Sequence, residues 1–370
     1  MKSGSVSCAS CHDPRRGYTD QAAVSTGIKG SKGGISAPTV LNAAYSPLLF
    51  WDGRALSLED QAQGPPQNPM EMFDGAGHAW QKVVQRVRQQ TDYLQRFQAA
   101  FGTEPTRDAI AKAIACYERT VLSGNSIHDR ADLARQRRGG TALEAQDYDV
   151  VLREAAARKD LSALAALGID PTTEKHKLNE WARRLDHGRS LFFGKAQCNL
   201  CHSGDNFTDN QFHNLGVGVK AGLVASDGQG RFARLPTGHK NPELIGAFKT
   251  PTLRGLLGTA PFMHDGSEPT LESVINFYNK GGNANEFLDA KMRDLDREKA
   301  FEVSRIQRTP FEGPASNLFG SDQRPLIPRR LGLTASEKQD LVLFVKALEG
   351  DPVDPIVSDV KKLIQSAAKR

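Results

Sequence analysis

Apolar residues recur with helical spacing in several separate stretches of this chain, and polar, glycine-containing segments lie between them. Over residues 81–101, Val84, Val87, Leu94, Phe97 and Phe101 share one helical face. Over 107–121, Ile110, Ile114, Tyr117 and Val121 do the same, and Cys116 in that helix reads as an inert buried thiol. Residues 129–186 change character. Arg135, Arg137 and Arg138 precede Gly139 and Gly140, and an Ala/Leu-rich stretch then ends at Gly168-Ile-Asp-Pro171, which predicts an inserted helical hairpin or linker. Residues 203–250 have little periodicity and many Gly, Asn and Asp, so an irregular loop is expected. Thr270 caps a short helix that carries Tyr278 in its last turn and stops at Gly281-Gly282. Thr334-x-x-Glu337 is a capping box that opens a final helix through Leu341–Leu348, and the last twenty residues read as a charged tail.

The chemistry enters with the cysteines. Four of the five belong to two copies of Cys-x-x-Cys-His: Cys8, Cys11 and His12, then Cys198, Cys201 and His202. Two thiols three positions apart sit on one side of a single turn, where both can add to the vinyl groups of one porphyrin. The adjacent histidine then reaches the iron from the same face. The competing reading is zinc, but each site offers only three ligands where a structural zinc site wants four. A disulfide framework fits less well, since both pairs are locally spaced in a long chain. The pattern therefore predicts two covalently bound haem c groups.

With 39% hydrophobic, 25% charged and 7% aromatic residues, the 370-residue chain has an ordinary globular composition. It has no apolar run near the length of a membrane span, so no membrane insertion is expected. The net charge of +5 is nearly cancelled by the four propionates of two haems, which leaves no nucleic-acid footprint. The N-terminus lacks an apolar signal region, although haem attachment normally follows export. The chain therefore reads as a mature or truncated periplasmic form. The expected architecture is mainly α, with two cytochrome c-like haem domains, long loops and an inserted helical segment. Its parts are 1–128 for the first haem, 129–185 for the insertion, 186–350 for the second haem and 351–370 for the tail. Gly188-x5-Gly194-Lys195-Ala196 is not a phosphate loop, because its spacing is one too long and it lacks Ser or Thr.

Several further motifs occur in order: Phe50-Trp51-Asp-Gly-Arg54, Gly64-Pro65-Pro-Gln-Asn-Pro69-Met-Glu71, Lys249-Thr-Pro-Thr-Leu-Arg254 and Ala260-Pro261-Phe-Met263-His264-Asp-Gly266. With the two haem sites they resemble the bacterial di-haem cytochrome c peroxidase and MauG family, over about residues 4–128 and 186–350. The resemblance implies that hydrogen peroxide binds at the haem of Cys8, Cys11 and His12. It implies that the haem of Cys198, Cys201 and His202 transfers electrons or stores charge. Trp51 matches the tryptophan between the haems, although a core aromatic would pack equally well. Glu71 and Gln61 match the polar groups beside the open iron face, where a carboxylate can move a proton between the peroxide oxygens. Without the resemblance Glu71 would read as a solvated loop residue. Pro65 shapes that pocket, and Arg254 is the expected propionate partner. The family's inter-domain calcium ion would fall on backbone oxygens of Thr259 and Pro261, with Ser36 in place of the usual asparagine.

Two positions depart from the ordinary peroxidase pattern. Where many members place a histidine that caps the peroxide-binding iron at rest, this chain has Ile28, so that iron is expected to be open without prior reduction. Where peroxidases place a methionine beside the second haem, this chain has Tyr278, as MauG-type enzymes do. A phenolate favours ferric or higher states. Met263 is the competing ligand, and His264 and His213 are expected to be propionate or loop contacts. Three functions follow. One is a peroxidase fed by a small cytochrome or cupredoxin, and another is a maturase that oxidises aromatic residues of a partner protein. The third is a plain electron carrier, which Ile28 disfavours. MauG-type proteins carry a surface tryptophan just before the second haem motif, and Ala196 stands there instead, with Trp181 as a substitute. The expected protein is thus a MauG-like di-haem enzyme that reacts with peroxide.

Overall fold

The computed structural model describes residues 5–359 except 76, 221, 225–227, 312–318 and 321–323. Helices dominate. In the first third they are α1 (Leu58–Ala62), α2 (Ala79–Arg88), α3 (Thr91–Phe101) and α4 (Arg107–Glu118). The middle carries α5 (Ile127–Arg137), α6 (Ala145–Arg158), α7 (Leu161–Leu167) and α8 (Lys175–Phe193). The remainder holds α9 (Arg231–Arg234), α10 (Leu271–Asn279), α11 (Leu295–Gln307), α12 (Ala335–Lys346) and α13 (Pro355–Ser358). Strands β1 (Phe212–His213) and β2 (Phe248–Lys249) pair antiparallel, with Phe212 opposite Lys249. No helix among the described residues is long and apolar enough to cross a membrane.

The helix expected over 81–101 is two helices. The first ends at Gln89, whose N–H turns back to the Gln85 carbonyl, and the second starts after Gln90, so two adjacent exposed glutamines form the joint. Trp80, Phe97, Ala109 and Ile110 close one small core across α2, α3 and α4. Cys116 is exposed, against the expectation of a buried thiol. The buried stripe of α4 is Ala109, Ile110, Ala111 and Ala115, and one residue further turns the side chain about 100° away from it.

The boundary drawn at 185/186 falls inside α8, which is continuous. Its first half gives Leu178, Ala182 and Leu185 to a core shared with α5, α6 and α7, and its end gives Leu191 and Phe192 to the core behind the second haem motif. Helix α12 likewise serves both cores, through Leu343 and Ala347 on one side and Leu341 and Phe344 on the other. The α8–α12 crossing is close enough that a Cβ on Gly188 would stand 2.0 Å from the Asp340 carbonyl oxygen, which gives that glycine a packing role. The start of the tail is packed rather than free. Val353 and Val357 join Tyr18, Leu41 and Val121, and the Tyr117 hydroxyl donates to the Val357 carbonyl (3.2 Å). The rest of the tail, from 360, lies outside the described residues.

Candidate functional site

Both Cys-x-x-Cys-His segments adopt the same local geometry. Each opens as a single 3-10 turn, Cys8–Ser10 and Cys198–Leu200, and each histidine N–H donates back to the first cysteine carbonyl at 2.9 Å. That turn puts two thiols and one imidazole on one side. The ring is then oriented by a backbone carbonyl: His12 Nδ1 lies 3.1 Å from the Tyr18 oxygen and His202 Nδ1 lies 3.0 Å from the Phe207 oxygen. A carbonyl only accepts, so each Nδ1 carries the proton and each Nε2 lone pair is left for a metal. Burial pushes the pKa of both imidazoles down, which favours the neutral, ligating form.

A cavity of about 280 Å³ opens over the second turn, with Cys198, Cys201, His202 and Tyr278 on its wall beside apolar side chains such as Ile275 and Leu253. Burial drives the Cys198 thiol up to about 12, so in the metal-free chain it is protonated. Among the described residues, the one group of acid, thiol or imidazole donors close enough to share an ion is Cys201, Asp209 and His213, which omits Cys198 and His202. Within it His213 is already spent, bridging Asp289 (2.7 Å) and Asp209 (2.9 Å) as a loop contact. Paired free thiols, a carbonyl-oriented histidine and an apolar cavity fit a covalently bound porphyrin and do not fit zinc.

Helix α10 places Tyr278 as its cap predicts, with the Thr270 hydroxyl accepting from the Ser273 N–H and the chain leaving through Gly281. Tyr278 is partly buried, packed on Leu288, Met292 and Leu326, and desolvation first, then the two cysteines, push its pKa up. Met263 lines the same cavity, at a left-handed φ of 68°, and its carbonyl accepts from the Ser36 hydroxyl (3.2 Å). His264 stacks on Phe248 with 3.5 Å between ring centroids and meets Trp51 edge-on at 6.4 Å.

Trp51 stands where the two halves join. Its indole N–H donates to the Ser36 carbonyl (3.0 Å), its own carbonyl accepts from the Lys249 N–H (2.8 Å), and the Ser36 N–H donates to the His264 carbonyl (2.8 Å). Thr259 and Pro261 line the same cavity, and the Thr259 hydroxyl is used on the Leu256 carbonyl. The Ser36 hydroxyl and carbonyl are both engaged, with the Met263 carbonyl and the Trp51 indole.

Around the first motif, the Glu71 carboxylate lies close enough to act electrostatically on Cys8, Cys11 and His12. Its Oε1 accepts from Asn68 Nδ2 (2.6 Å), and its backbone carbonyl accepts from the Ile28 N–H (2.8 Å). Ile28 is buried, and a Cβ on Gly27 would fall 1.9 Å from the Met70 carbonyl, so the two loops touch backbone to backbone. Gln61 sits on α1, and Pro65 opens the turn Pro65–Gln67 that follows it.

Arg254, the expected propionate partner, has other partners in the structure. Its guanidinium makes a bidentate pair with Asp129 at 2.7 and 2.8 Å, and its Nε donates to the Asp205 carbonyl (2.6 Å). It is not on the cavity wall. Trp181 packs on the insertion core under Arg184, whereas Ala196 lines the cavity. Sequence reading missed Glu118, whose buried Oε2 has no hydrogen-bond partner among the described residues and whose charge acts on Cys8. Burial lifts its pKa to about 7. The signal was available, since Glu118 continues the inner stripe of Ala111 and Ala115.

Two porphyrin-binding turns on one mainly helical chain define a di-haem c-type oxidoreductase. A family model described as di-haem cytochrome c peroxidase matches residues 2–138. The methylamine utilization protein MauG of Methylorubrum extorquens is 34% identical over 312 residues, covering 83% of this chain and 70% of that one. The cytochrome c551 peroxidase of Nitrosomonas europaea is also 34% identical, over 74% of this chain and 67% of its own. A crystal structure of a MauG-like protein associated with microbial copper homeostasis superposes with TM-score 0.64 at 28% identity, covering 97% of this chain and 87% of that one. The chain belongs to the di-haem cytochrome c peroxidase and MauG family.

Proposed function

We propose that this protein is a MauG-like peroxidase that reduces hydrogen peroxide at its N-terminal haem, in the periplasm where c-type haem attachment is completed. The observation that carries the reading is the pairing of Ile28 with Glu71. A side chain that cannot ligate iron and a side chain that can carry a proton are joined by one backbone hydrogen bond, beside Cys8, Cys11 and His12. A haem iron with an open position supplies the peroxide binding and the two-electron chemistry. Glu71 takes the proton from the near peroxide oxygen and delivers it to the far one, while Asn68 holds its Oε1 in place. Reduction of one peroxide to two waters takes two electrons and two protons, and a small cytochrome or cupredoxin supplies the electrons. His202 and Tyr278, both on the cavity wall, would hold the second haem, and Trp51, bonded to Ser36, would lie between the halves on the electron path.

A protein-modifying maturase is the second reading, and Tyr278 supports it, because a phenolate ligand favours oxidised iron and holds an oxidising equivalent. Against it, Ala196 is buried where an exit aromatic is wanted, and Trp181 packs in a different core. One equivalent of peroxide added to the ferric protein, with and without a reduced cytochrome, separates the two. Rapid return to the resting spectrum with oxidation of the cytochrome supports the peroxidase. A long-lived oxidised species that the cytochrome barely quenches supports the maturase, and no reaction with peroxide removes both.

A further inference from the structure

Three cations line the cavity over the second haem motif: Lys249, Lys291 and Arg329. Two of them are already engaged at the cysteine edge. Lys291 donates to the Leu200 carbonyl (2.7 Å) and pairs with Asp209 (3.1 Å), while Arg329 bonds to the Gln197 side-chain oxygen and acts on Cys198. Lys249 differs from both. Its backbone belongs to β2, bonded to the Trp51 carbonyl, and its ammonium reaches only the Ser46 hydroxyl, at 3.3 Å. Among the described residues no carboxylate influences it, and burial alone acts on it.

A partly buried ammonium without an anion is costly, and chains retain one where something supplies the missing charge. The covalent geometry of haem c says where that charge arrives. The carbons that bond the cysteines and the carbons that bear the propionates lie on opposite edges of the ring. A cation that serves the propionates therefore stands away from Cys198 and Cys201. Lys291 acts on Cys201 and Arg329 on Cys198, whereas neither cysteine acts on Lys249, which is bonded to Ser46 and Trp51. Arg254, the expected partner by residue type, is paired with Asp129 and is not among the residues that line the cavity.

We propose that Lys249 is the counter-ion of a propionate on the haem carried by Cys198 and Cys201. The inference rests on that haem being present, which a pyridine haemochrome count of two per chain checks independently. A cation at the propionate edge favours the ferrous state, so its removal lowers the reduction potential of that haem. Lys249→Met holoprotein keeps two haems, and the midpoint of its low-spin haem falls by the equivalent of about a tenfold change in the reduction equilibrium, ~59 mV for one electron. Lys249→Arg keeps the wild-type midpoint. A lysine with a merely structural role shifts stability and leaves the potential alone, so equal midpoints in wild type, Lys249→Met and Lys249→Arg overturn the proposal. If Lys249→Met loses the second haem, Lys249→Arg decides: two haems at the wild-type midpoint support the charge role, and loss of haem there too overturns it.

Discussion

Arg254 and Asp129 meet in a two-pronged ion pair, Nη1 to Oδ2 at 2.7 Å and Nη2 to Oδ1 at 2.8 Å, which fastens α5 to the loop that follows Lys249. Burial raises the Asp129 carboxyl, yet the guanidinium wins and holds it below the usual carboxylate range. The Arg254 side chain is only 10% exposed, and its Nε bond to Asp205 stands two residues before Phe207, whose carbonyl orients His202. Removing one partner leaves a largely buried charge alone. Arg254→Leu is therefore expected to cost about 3 kcal/mol in a denaturant titration, at the low end for buried pairs because Asp129 is partly exposed. The double variant with Asp129→Asn should recover part of that loss. An additive double variant would mean that the two groups do not depend on each other.

Ligation at the second haem is read most directly by electron paramagnetic resonance. The ferric wild type should show one high-spin and one low-spin haem. Tyr278→Phe removes the oxygen from a partly buried position on the cavity wall, so the low-spin signal should vanish while both haems stay attached. Met263→Leu should leave the spectrum unchanged. If the methionine variant loses the low-spin signal instead, the tyrosine assignment is wrong.

At the first site, Glu71→Gln keeps the size of the side chain and removes its capacity to carry a proton. The rate constant for reaction with peroxide, followed by stopped flow, should fall by about 10²–10⁴, with haem content and the resting spectrum unaltered. Asn68→Ala releases Oε1 without removing it and should cost less. An unchanged rate in Glu71→Gln would take that carboxylate out of the proton path.

Local signals were read well from sequence because they are local. The Thr270 and Thr334 caps, the glycine stop after α10 and the two Cys-x-x-Cys-His turns each depend on residues within a few positions of one another. The misses are long-range or depend on small angles. Arg254 finds its carboxylate 125 residues away, and no periodicity encodes that pairing. The continuity of α8 across the expected domain boundary comes from two cores that share one helix, which apolar spacing alone does not separate. Cys116 and Ala115 differ by a single helical step, yet one faces water and the other does not. Helical spacing shows that an apolar face exists more reliably than it shows where that face ends.

Glu118 carries a pH dependence whose direction follows from its surroundings. Desolvation raises its folded pKa from 4.5 to about 7, with Arg119 opposing and Glu59 adding to the rise. Between those values the folded chain holds a proton that the unfolded chain has released. The stability this gives is fully present below pH 4.5 and is lost as the pH climbs through 7. Glutamine is neutral at every pH, so Glu118→Gln should match wild type near pH 4.5 and gain on it as the pH rises. The gain should level off above pH 7 at about 3 kcal/mol, since each pKa unit corresponds to 1.36 kcal/mol. Guanidinium titrations of both proteins at pH 5 and pH 8 read the difference. A gap of the same size at both values would mean that Glu118 stays ionised in the folded protein and that its Oε2 has found a partner.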